Sequence, residues 1–196
     1  MEIKALKFQT FIAILSVLLL SNLTALADTQ IDNQNSTADA FINVLAPSSN
    51  SLYLKQNPSF TFADTEIKQQ NLTVTANGTS PFQIVNLTGT NTNYKIQEQI
   101  SNFTASSISG NGTVTLPVSA FYLTVENSSD GHLTGCQNVN IFGQAGQVLT
   151  TTTGGNSTGT LTSGNVTATM NINGTQSSIQ QGTYNATLTT TLVSGV

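Results

Sequence analysis

The sequence predicts an all-β protein, an antiparallel β-sandwich that follows an N-terminal export signal. Three observations predict it. Short runs alternate apolar residues with threonine and asparagine, the period of a strand with one wet face. Turn signals separate these runs at intervals of about 8–12 residues, the spacing of sandwich strands. Beyond the N-terminal region, no segment carries apolar residues at i, i+3, i+4 and i+7 over three turns, so no amphipathic helix is expected.

The elements follow in order. The opening MEIKALKFQTFIAILSVLLLSNLTALA has the parts of a secretory signal: Lys4 and Lys7, an apolar stretch over residues 11–20, and a small-x-small site at Ala25-Leu26-Ala27. Ser21, Asn22 and Thr24 cut the apolar run short of the roughly 20 residues a bilayer span needs. Residues 1–27 are therefore expected to be cleaved as a signal peptide, leaving a secreted, extracellular chain with no stable membrane span. Residues 28–39 are polar and aperiodic, a flexible lead-in to a single domain over 40–196.

Within that domain, AFINVL at 40–45 reads as a strand stopped by Pro47, and SLYL at 51–54 as another before Pro58. Residues 59–63 alternate, placing Phe60 and Phe62 on one face. NLTVTA at 71–76 ends at Asn77-Gly78, a hairpin turn signal. Strands are expected at 82–87, 94–100, 113–116 and 121–125, with weaker ones at 140–142 and 147–150. TTTGGNSTGTLTSG, residues 151–164, reads as a low-complexity loop. In 165–172, Val166, Ala168, Met170 and Ile172 share a face. In the closing run, Tyr184, Ala186, Leu188, Thr190 and Leu192 share one face and threonines fill the other. That closing run is expected to be a core strand inserted between neighbours.

Composition narrows the function. Only 7% of the residues are charged, and there is no arginine. After Ala27, Lys55, Lys68 and Lys95 stand against eight acids, which leaves the mature chain acidic. With no basic patch to hold phosphates, nucleic acid is excluded as a partner. The single cysteine, Cys136, rules out an internal disulfide.

Candidate chemistry is sparse. His132 and Cys136 lie four apart, but no second histidine or cysteine completes a zinc site. Asp64 with Glu66, and Glu126 with Asp130, are the available carboxylate pairs, and they read as solvated acids at loop ends. No D-x-[DN]-x-[DN]-G calcium loop occurs. Asn-x-Ser/Thr triplets recur, at Asn71, Asn86, Asn156, Asn173 and Asn185 among others, as expected of a chain rich in these residues. The expectation is no enzyme, no cofactor and no metal.

The closing residues GTYNATLTTTL, 182–192, carry a resemblance. With Phe60-Thr61-Phe62, the TLPVS at 115–119 and the threonine-rich loop before the last two strands, the chain resembles the WxL-domain proteins of Gram-positive cell surfaces over residues 38–196. The family's closing motif runs G-T-Y-x-A-T-L-x-W-x-L. Its positions fall on Tyr184, Thr190 and Leu192, and the earlier Trp-x-Leu falls on Tyr94 and Ile96. Neither tryptophan is present, because the chain has none. The resemblance implies an immunoglobulin-like or WxL-like β-sandwich that attaches non-covalently to peptidoglycan, the cell-wall polymer, or to other surface proteins. The competing expectation is a pilin-like or coat subunit that self-assembles through edge strands.

Overall fold

The computed structural model describes residues 51–66, 69–110, 112–176 and 179–195, and the backbone of two short strands nearer the N-terminus. The chain divides into two units at Leu45. In the first, strands β1 (Thr29–Gln30) and β2 (Ser36–Thr37) pair antiparallel. The export signal and the strand expected at 40–45 lie outside the described residues.

The second unit is an antiparallel β-sandwich, with no helix among the described residues. Its strands are β3 (Leu52–Gln56), β4 (Leu72–Asn77), β5 (Gln83–Asn86), β6 (Tyr94–Ile100), β7 (Thr104–Ser106), β8 (Thr113–Thr115), β9 (Val118–Val125), β10 (Leu133–Gly135), β11 (Val139–Asn140), β12 (Gly146–Thr151), β13 (Gly159–Thr162), β14 (Val166–Ile172) and β15 (Leu188–Ser194). They form two four-stranded sheets, ordered β10-β12-β6-β15 and β11-β9-β14-β4. A three-stranded sheet, β13-β5-β3, and the β7-β8 pair complete it.

Side-chain alternation explains the strands. In β14, Val166, Ala168, Met170 and Ile172 are buried while Thr167, Thr169 and Asn171 are half-buried. In β6, Tyr94, Ile96, Glu98 and Ile100 share the buried parity. One contiguous core joins the sheets, and Phe121 lies at its centre with no exposed surface. Phe60 and Phe62 meet the Phe121 ring edge-on, with centroids at 6.3 and 5.9 Å, and Phe103 stacks on it at 5.8 Å. Aromatic pairs at these distances each add about 0.5–1.5 kcal/mol beyond the area they bury.

Three expectations change. Residues 59–63 form no strand: Phe60 makes one bridge to Gly78, and the Thr79 hydroxyl accepts from the Ser59 amide. The alternation there serves ring packing on Phe121 rather than a ladder. The 151–164 region is not all loop, since β13 pairs with β5 and buries Leu161. One apolar residue among glycine and threonine gave no period to detect. Among the described residues, the closing run is not inserted between neighbours: β15 starts only at Leu188 and pairs with β6 alone, at the edge of its sheet. Its alternation is as expected, but a period of two reports a wet face and does not report how many strands lie alongside.

Gly135 is among the glycines fixed by space. A Cβ on Gly135 of β10 would overlap the main-chain carbonyl of Val125, so the strand crosses there only without a side chain.

Candidate functional site

One concave feature among the described residues is a groove of about 980 Å³. Segment 57–65 forms one wall, and residues 179–190 form the other. Ile100, Phe103, Phe121 and Met170 contribute to its lining, with Val74 from β4 and Leu188 from β15. Among the described residues both of these strands are sheet edges, so the groove runs where the two large sheets part. Asp64 is the sole charged residue among the described residues of its lining. Such a groove suits an extended, uncharged, partly apolar segment, because an edge strand offers backbone groups in a row and the floor offers apolar contact.

The motif positions from the sequence come together. Ile96 lies directly opposite Leu192, and Tyr94 opposite Ser194, on adjacent antiparallel strands. They are placed as packing residues. Ile96 has no exposed surface, and Tyr94 is 1% exposed. Tyr94 therefore offers no stacking surface: its ring is buried in the core, and its hydroxyl has no hydrogen-bond partner. Burial, with the nearby negative charge of Asp130 adding to it, pushes the Tyr94 phenol above its ordinary range. Tyr184 is half-buried beyond the start of β15, and its hydroxyl donates to the Gln180 carbonyl (2.8 Å) and accepts from the Gln180 amide (3.2 Å). It braces the groove wall.

Thr190 has more to do. Its hydroxyl donates to Glu98 Oε1 at 2.7 Å and accepts from Asn57 Nδ2 at 2.8 Å. Glu98 is fully buried, and its Oε2 has no partner. Desolvation raises the Glu98 carboxyl to about 7, although the Thr190 hydrogen bond pulls the other way. Sequence reading passed over Glu98, yet the signal was there: an acid at the same strand parity as Tyr94, Ile96 and Ile100. Asn57 gave no signal beyond the proline that follows it.

The other candidates separate. His132 and Cys136 flank the extended strand β10, and four residues at about 3.3 Å each put them roughly 13 Å apart, too far to share a ligand. No group of three metal-ligating side chains occurs among the described residues. Asp64 and Glu66 are exposed and lie outside any strand. Glu126 accepts from the main-chain and side-chain nitrogens of Asn165. Asp130 accepts from the Ser128 hydroxyl (2.6 Å) and the His132 amide (3.0 Å), which hold its carboxyl below the usual range. Asp130 thus closes a turn, and Glu126 ties together two segments 39 residues apart.

The Asn-x-Thr triplets also have a structural use. Asn86, Asn156 and Asn173 each accept at Oδ1 from the amide and the hydroxyl of the threonine two residues on. These are Asx turns, in which the side chain stands in for a main-chain carbonyl. Asn86 is 1% exposed and is closed to any modifying enzyme in the folded state.

In comparison with known proteins, the chain matches no family model and no curated protein.

Proposed function

We propose that this is a secreted, non-enzymatic surface module that works by holding an extended segment of another surface protein in its groove. The observation that carries the reading is the groove itself: apolar floor, nearly uncharged lining, and an edge strand on either side. A partner strand laid against β15 extends the β6 sheet through main-chain hydrogen bonds, and its alternate side chains enter the groove. The resemblance to WxL-domain proteins supports the surface location and non-covalent attachment. Burial of Tyr94 favours a protein partner over direct stacking on the wall polymer.

A second reading has its own observation. The closing strand β15 is both an edge and rich in threonine, so the partner strand can come from another copy, giving a pilin-like assembly.

The test is a pull-down of residues 28–196 with insoluble peptidoglycan and, separately, with a detergent-free extract of surface proteins, alongside size-exclusion chromatography. Retention by a surface protein, lost on placing a lysine at Leu188, supports the groove. Retention on stripped peptidoglycan that survives the lysine overturns it. A ladder of oligomers abolished by the same change selects the pilin-like reading.

A further inference from the structure

Three side chains converge at the rim of the groove in an arrangement suited to chemistry. Thr190 Oγ1 sits between Glu98 Oε1 at 2.7 Å and Asn57 Nδ2 at 2.8 Å. The hydroxyl donates to a buried carboxylate oxygen and touches a carboxamide on its other side. That places a nucleophile between a base and a carboxamide whose nitrogen it touches, with the electrophilic carbon Cγ one bond beyond. Asn57 is itself held in place, since the Ser80 hydroxyl donates to its main-chain carbonyl at 3.0 Å.

We propose that Asn57 and Thr190 are a self-modification site, where the chain forms an ester between the Asn57 side-chain carbon and Thr190 Oγ1. The Glu98 carboxylate takes the Thr190 hydroxyl proton as Oγ1 attacks Asn57 Cγ. The tetrahedral intermediate collapses with cleavage of the Cγ–Nδ2 bond. Glu98 returns the proton to the departing nitrogen, which leaves as ammonia. One carbon–oxygen bond forms, one carbon–nitrogen bond breaks, and Glu98 is regenerated. No oxidant or co-reactant is needed.

Several features favour this step. Holding the groups in contact replaces a collision with an intramolecular reaction, worth an effective concentration of about 10⁵–10⁸ M when alignment is good. Burial leaves Glu98 titrating at about 7, the range in which one carboxyl both accepts and returns a proton near neutral pH. The unpartnered Oε2 leaves the carboxylate free of competing donors. Pro58 follows Asn57, and proline has no N–H, so the usual loss of ammonia by attack of the next main-chain nitrogen is closed at this position.

The link would join positions 133 residues apart, near the two ends of the sandwich unit. A chain pulled from its ends would then be loaded through the ester and not through the sheets. This is independent of what the groove holds.

Lysine positions make the test simple. Trypsin releases Asn57 within residues 56–68 and Thr190 within residues 96–196. The native chain, incubated at neutral pH and then denatured and digested, is expected to give one branched product, lighter by one ammonia than the two peptides together. Hydroxylamine should split it. Glu98→Gln and Thr190→Val should release the two peptides separately, while Thr190→Ser retains the link. Tandem mass spectrometry must place the junction at Asn57, because the Asn-Gly pairs at Asn77, Asn111 and Asn173 lose ammonia by the ordinary route. Recovery of free, full-mass residues 56–68 from the folded native chain overturns the proposal whatever the variants do. A branched product that persists in folded Glu98→Gln overturns the role given to Glu98.

Discussion

The two sides of the sandwich differ in how completely they close. On the β10 and β11 side, Leu123, Val125, Leu133, Ile141, Val148 and Leu149 are all at most 1% exposed. On the β4 and β15 side, Phe60, Phe62, Leu72, Val74, Leu188 and Leu192 pack against the same core but are only partly covered. The closed side has short strands and turns fastened by side chains, such as the Ser128 hydroxyl that accepts from the Leu133 amide at 2.8 Å. Among the described residues each side ends in two sheet edges, and on the open side a groove lies between the walls. The difference teaches where stability resides and where, on the proposed function, recognition would act: filled volume on one side, and partly covered apolar surface on the other.

Mutations sharpen this contrast, and Phe121 should give the largest effect. It fills the centre and carries three aromatic contacts, so Phe121→Ala is expected to cost about 4 kcal/mol in urea unfolding. A loss under about 1 kcal/mol would mean that the groove already relieves the cavity.

The next effect is one of pH. Glu98 titrates at about 7 in the fold and near 4.5 ordinarily. Below the lower value the carboxyl is neutral in both states, and its burial costs no ionisation energy. Between the two values the unfolded chain ionises while the folded chain holds its proton, so stability falls as pH rises. Above about 7 the loss is complete, on the order of 3 kcal/mol. Glu98→Gln should remove that slope, leaving unfolding midpoints at pH 4 and pH 8 closer together than in the native chain. An unchanged slope would place the titration elsewhere.

Gly135→Ala tests the closed side by overfilling it. The added methyl meets the Val125 carbonyl, and the strain is expected to cost about 2–3 kcal/mol. Phe62→Ala tests the open side and should cost only about 1 kcal/mol, because its ring is partly solvated before the change. If the two open-side and closed-side costs were equal, the contrast would fail.

Strand-level features were legible in the sequence where alternation was long. Residues 94–100 were delimited as the structure has them, and the face shared by Val166, Ala168, Met170 and Ile172 is buried. Features that depend on pairing were not legible. Nothing in GTLT at 159–162 announces β13, and nothing in the closing threonines distinguishes an edge from a centre. The site was partly legible. Thr190 was singled out by the motif, while its partners Glu98 and Asn57 lie 92 and 133 residues away in the chain. Only the fold brings them together.

The most direct test of the open edge is hydrogen exchange on β15 and β14, in the free chain and in the chain bound to a surface-protein extract. β14 lies between β9 and β4, and its amides should exchange slowly in both samples. Amides of residues 188–194 that point away from β6 should exchange rapidly in the free chain and slow down on binding. Protection of all the β15 amides in the free monomer, or exchange unchanged in the bound sample, would contradict a strand-accepting edge.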